Sequence, residues 1–210
     1  MVINAFVNGA LLGGALIIAI GAQNLFVLRQ GMARDQVFAV ALLSSLIDAT
    51  LIIAGALGLG SLIATVPWLV PVASWGGAVF LLVFGSLSLY RAVIPKEIPQ
   101  EEAGEVTSSL KRAVMMTLAF GLLNPHVYLD TVILLGGIAA GYEFSLRLYF
   151  MTGAVIMSFV WFFALGYGAR TLTPLMRHPA GARVLDLLVA TMMFVVAANL
   201  IWDQVQSNPV

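Results

Sequence analysis

The chain has 210 residues, 61% of them hydrophobic and 10% charged, with a net charge of zero and a mean hydropathy of +1.01. No ordinary soluble domain is this apolar, so the composition specifies an integral membrane protein and gives no reason to expect a nucleic-acid partner. The absence of cysteine excludes disulfides and thiolate metal sites, and two histidines are too few for a histidine cluster, so neither metal nor cofactor is expected.

Apolar segments of membrane length follow one another with short polar gaps, the helical rather than the barrel pattern. Six transmembrane helices are predicted, approximately Ile3–Leu28, Val37–Ile63, Val70–Ala92, Ala113–Ala140, Leu146–Tyr167 and Val184–Trp202. The first lacks a basic lead and is longer than the core of a signal peptide, so it reads as mature structure. It carries glycine and two amides, Gly21, Gln23 and Asn24, inside its apolar run. The second carries Asp48 in its middle. An aspartate at the centre of a membrane helix costs about 2.5–3.5 kcal/mol on insertion scales, so it normally faces a cavity, a partner or a substrate path.

Between the third and fourth segments lies the only sizeable polar stretch, Ile94–Arg112, with Pro95, Pro99, Gly104 and the acids Glu97, Glu101, Glu102 and Glu105. It reads as a cytoplasmic linker (93–112) between a first three-helix repeat (1–92) and a second (113–210). In the fourth segment Pro125 lacks an N–H, and its ring clashes with the carbonyl of Gly121, so the helix should kink or break there. The carbonyl freed at membrane depth must face protein or a watery cavity, with Asn24 and Asn124 as natural partners for backbone or ligand. Five residues past the proline stands the second membrane carboxylate, Asp130. His126 and Asp130 share a face if an α-helix resumes, as a proton relay or as packing, and Asn124 and Tyr128 share another. The spacings Gly9-x-x-x-Gly13 and Gly137-x-x-x-Gly141 permit close helix contact, within the chain or in a homodimer. Trp68, Trp75 and Trp202 lie near predicted helix ends, as interfacial anchors do.

The two halves echo each other. Ile18-Ala19-Ile20-Gly21-Ala22-Gln23-Asn24 stands a hundred residues before Leu118-Ala119-Phe120-Gly121-Leu122-Leu123-Asn124, and Ala56-Leu57-Gly58-Leu59-Gly60 resembles Ala164-Leu165-Gly166-Tyr167-Gly168. With three spans per unit the second copy enters the membrane in the opposite sense, giving two inverted three-helix repeats, an arrangement that places substrate at the helix interruptions. Nine of the ten Lys and Arg residues fall in loops one, three and five, and only Arg147 falls on the other side. The positive-inside rule puts those three loops in the cytoplasm and both termini outside. Were the first segment re-entrant, only the N-terminus would change sides.

Gly21-Ala22-Gln23-Asn24-Leu25-Phe26-Val27-Leu28-Arg29-Gln30-Gly31, then Asp48, then Leu123-Asn124-Pro125-His126-Val127-Tyr128-Leu129-Asp130-Thr131 resemble the LysE/ArgO family of basic amino acid exporters. The likeness extends to Trp75-Gly76-Gly77 and Ser158-Phe159-Val160-Trp161-Phe162. Neutral amino acid exporters of the wider superfamily look like Asn-Pro-Lys at the second motif and lack Tyr-Leu-Asp. The resemblance implies export of L-arginine or L-lysine through the bacterial cytoplasmic membrane, driven by the proton-motive force. On that footing Asp48 and Asp130 would pair with the two cations of the substrate. Amides or exposed backbone N–H groups near Gln23, Asn24 and Asn124 would hold its carboxylate. One residue departs from the family, whose first motif reads Gly-Pro-Gln-Asn. Ala22 replaces that proline, and alanine is the best helix former, so segment one is expected to run on continuously and the site to centre on segment four.

Two other classes fit less well. A metal-ion exporter of related architecture needs more ligands in its spans than two aspartates and one histidine. A membrane enzyme would have only His126 with Asp130, and no activated serine or cysteine beside them.

Overall fold

The computed structural model describes residues 1–18, 21–59, 69–94, 109–124, 127–174 and 179–207, and every regular element among them is helical. In chain order these are α1 Val2–Ile18, α2 Ala22–Ala33, α3 Val37–Ala54, α4 Leu69–Val93, α5 Leu110–Leu122, α6 Gly136–Ala140, α7 Phe144–Gly168 and α8 Pro179–Ser207. Wider π-helical turns extend α3 over Gly55–Leu59 and precede α6 over Tyr128–Leu135, and a 3-10 turn Ala169–Leu172 closes α7. Four stretches are long and apolar enough to cross a membrane: Val37–Gly58, Ser74–Val93, Phe144–Leu172 and Ala180–Gln206. At 1.5 Å rise per residue, twenty residues cover the roughly 30 Å hydrocarbon layer. The pair α1 and α2 adds a fifth if the two helices, bent by 80° at their junction, form one span. The fourth predicted segment is divided into α5, the π-helical stretch and the five-residue α6.

That bend corrects the expectation of a continuous first helix. Gly21 is extended (φ −133°, ψ 174°) and stands as N-cap, so Ala22 opens a new helix instead of prolonging the old one. Helix propensity has no leverage at such a position, because alanine suits the first turn of α2 as well as the interior of a longer helix. Gly121, expected at the second break, is instead the penultimate residue of α5, buried against the side chain of Ile47, and the break follows it.

Two pairings dominate the packing, α1 along α7 and α4 along α8, while α3 lies between α7 and the two halves of segment four. The Gly9 and Gly13 face does what its spacing predicts. Gly9 lies on the backbone of Phe150 and Gly13 on Ala154, so closely that a Cβ at Gly9 would overlap the Phe150 carbonyl. Within the chain the second glycine spacing does not act this way: among the described residues nothing approaches Gly137, and only the Ile138 carbonyl approaches Gly141. It is Gly136 that rests on the backbone of Gly55. Trp75 and Trp202 are exposed as anchors would be, and Trp68 lies outside the described residues.

The two ends of the bundle are held differently. At one end Arg147 donates to three main-chain oxygens, Ala56 O (3.3 Å), Ala140 O (3.0 Å) and Tyr142 O (3.3 Å), tying the ends of segments two and four. Asn8 joins that end through Tyr142 Oη (3.1 Å). At the other end Asp186 of α8 forms ion pairs with both Arg29 and Arg91.

Candidate functional site

Both breaks open onto one cavity of about 220 Å³ in the middle of the bundle. Gly21, Gln23 and Asn24 reach it from the first break, and Asn124, Asp130 and Thr131 from the second. Asp48 enters from α3 and Phe162 from α7. The volume suits one small solute, below the roughly 300–1,000 Å³ typical of drug-sized ligand pockets. Five of the six expected substrate-binding residues thus share a wall.

Tyr128, the sixth, does not line the cavity; its hydroxyl donates to Leu122 O at 2.8 Å, the last carbonyl of α5. The expectation that Tyr128 shares a face with Asn124 assumed an α-helix after the break. Asn124 stands instead outside any helix, after α5 has ended at Leu122, and Tyr128 opens a separate π-helix, so no α-helical register relates the two. Pro125 and His126 themselves lie outside the described residues.

Asn24 does more than line the cavity. Its Nδ2 donates to Ile17 O (2.7 Å), a carbonyl at the end of α1, and its Oδ1 accepts from Trp161 Nε1 of α7 (3.2 Å). One amide thereby satisfies a carbonyl left by the bend and anchors it to the neighbouring helix. Asp48 is 5% exposed and accepts from the Ser158 hydroxyl (Oγ to Oδ2, 3.0 Å), itself wholly buried. Gln23 is 8% exposed, and its Nε2 has no hydrogen-bond partner among the described residues. A buried, unsatisfied donor on the wall of a cavity is costly in an empty protein and useful to a ligand with an acceptor oxygen.

Two contributors were recognisable in the sequence only as parts of a motif. Ser158 and Trp161 sit three residues apart on α7 and meet Asp48 and Asn24 across the bundle, 110 and 137 residues away in the chain. Nothing local distinguishes them from other residues of an apolar helix. Among the described residues no three His, Asp or Glu side chains lie together as a metal ion would require.

An all-helical bundle of membrane-length helices, interrupted twice around a central polar cavity with two carboxylates, defines a multi-pass membrane protein of the transporter class. The chain belongs to the LysE type translocator family, whose profile matches residues 15–204. It is similar to the arginine exporter protein ArgO of Serratia proteamaculans (37% identical over 198 residues; 94% of this chain, 96% of the relative). It is similar also to ArgO of Pectobacterium carotovorum subsp. carotovorum (38% over 195 residues; 93% and 95%). A candidate amino-acid transporter of Mycobacterium tuberculosis is 43% identical over 180 residues (86% and 88%). No solved structure matches the chain.

Proposed function

We propose that this protein exports L-arginine, with L-lysine or a cationic analogue as a further substrate, from the cytoplasm across the bacterial inner membrane. The carrying observation is the central cavity: Asp48 and Asp130 stand in one wall system with the Gln23 and Asn124 amides and the N-terminus of α2. A basic amino acid offers two cations and one carboxylate. The two aspartates take the α-ammonium and the side-chain cation. Gln23 Nε2 and the N–H groups of the first turn of α2, which carries no acidic residue and no side-chain cap, take the carboxylate.

The proposal includes six crossings arranged as two inverted repeats, with loops one, three and five cytoplasmic. Supporting it, the helix contacts are exchanged by swapping segments one with four, two with five and three with six. Segment one on five becomes four on two, while three on six and two on five map onto themselves. Asn8 and Arg147 gather at one end and Arg29, Arg91 and Arg112 at the other, as the positive-inside reading requires.

Moving one positive charge out of a cell costs about 2.3 kcal/mol per 100 mV, so export is driven by the proton-motive force, as antiport. One of the two aspartates carries a proton on the empty return and releases it when the substrate cation arrives. Proteoliposomes loaded with labelled arginine test this. An imposed pH gradient without voltage accelerates arginine movement, and indifference to the gradient refutes coupling. Overexpression confers resistance to canavanine, and competition by unlabelled lysine ranks the two substrates.

A further inference from the structure

At the arginine-rich end a second cavity, of about 200 Å³, opens between α2, α4 and α5. It shares no lining residue with the central one. Three guanidinium groups line it, one from each helix: Arg29, Arg91 and Arg112, with one carboxylate, Asp35. Two of the three are anchored from behind. Arg29 Nη1 lies 2.9 Å and Arg91 Nε 3.4 Å from the same oxygen of Asp186, and Arg91 Nη2 donates to Ser88 Oγ at 2.7 Å.

A single Asp186 cannot neutralise two arginines, and among the described residues no carboxylate lies within ion-pair distance of Arg112. Among the described residues, three cations against two carboxylates leave the cavity positive. Anchoring by Asp186 and Ser88 fixes the forks beforehand, so little side-chain entropy remains to be lost when an anion arrives. Planar guanidinium forks bind phosphate oxygens in pairs, and several forks around one pocket favour a group with several acceptor oxygens over a single carboxylate. Basic pockets between membrane helices on the cytoplasmic side are where anionic headgroups bind, and the apolar floor of Phe26, Phe84 and Met116 suits the start of a lipid chain.

We infer that this cavity is a binding site for a phosphate group, carried by an anionic phospholipid or free in solution. The site stands whatever solute the protein moves. A bound phosphate cancels positive charge at the end where a basic solute arrives, and that consequence alone rests on the arginine-export reading.

The test measures binding and is blind to transport. The detergent-solubilised protein is mixed with equal amounts of phosphatidylglycerol and phosphatidylcholine, and adducts are counted by native mass spectrometry. A second arm replaces lipid with inorganic phosphate. Wild type retains phosphatidylglycerol, or phosphate, over phosphatidylcholine. In the double variant Arg91→Gln/Arg112→Gln that preference falls about tenfold, the least expected when a hydrogen bond to a charged group is lost. Arg183→Gln, an exposed arginine that does not line the cavity, leaves the preference unchanged. Retention of lipid identifies a headgroup site, and retention of phosphate alone a soluble anion. No retention of either, or an equal loss in Arg183→Gln, overturns the inference.

Discussion

The two helix breaks solve the same problem with different residues. At the first, Asn24 reaches back seven residues to Ile17 O; at the second, Tyr128 reaches back six to Leu122 O. In both, the half-helix after the break supplies a side chain for a carbonyl freed before it, as a low-dielectric interior requires. The first break resumes as an ordinary α-helix and gives its amides to the cavity. The second resumes as a π-helix, withdraws Tyr128 into the repair and turns Asp130 and Thr131 to the cavity. The first break thus contributes only neutral groups, and the second a charge beside its own amide Asn124, which suits a substrate bearing both signs.

The largest test of that division is Asp130→Asn, expected to lower arginine export at least about tenfold, the scale of losing a hydrogen bond to a charged group (about 1.5–3 kcal/mol). Immunoblotting of membranes would show the variant still inserted, and full activity there would remove the charged half from the scheme.

Asn24→Ala comes next. It deprives both Ile17 O and Trp161 Nε1 of partners, so a loss of about 2–6 kcal/mol is expected, at about 1–3 kcal/mol for each orphaned group. Thermal unfolding in detergent reads it. Tyr128→Phe orphans only Leu122 O and should cost about 1–2 kcal/mol in the same assay while sparing arginine affinity. A marked loss of affinity there would return Tyr128 to the substrate.

The smallest effect has the opposite sign. Ala22→Pro restores the residue usual in the family at the first position of α2, where the backbone N–H has no intrahelical acceptor. The preceding Gly21 already has the extended backbone that proline demands. Stability should rise by about 0.4–1 kcal/mol. A destabilised variant would mean that the buried Ala22 has no room for the ring.

Much of this was legible in the chain. Amides, glycine and proline interrupting apolar runs marked the second break and, at the first, the polar pair Gln23-Asn24, because polar groups at membrane depth are too costly to lack a purpose. Asp48 and Asp130 stood out for the same reason, and the structure does line one cavity with them. Reading Ala22 as a helix former failed because propensity describes helix interiors, whereas this residue begins a helix. The pairing of Tyr128 with Asn124 failed because it assumed one helix through both, whereas Asn124 lies outside the helices on either side of it.

What the sequence by itself determined is a membrane protein of apolar helices with two polar interruptions, since composition and local pattern decide whether a segment prefers lipid to water. Only the tertiary structure decided which side chains repair each break, and that Ser158 holds Asp48 and Trp161 holds Asn24. It also decided that Arg29 and Arg91 share Asp186. Those partners lie far apart along the chain, and only packing brings them within hydrogen-bonding range.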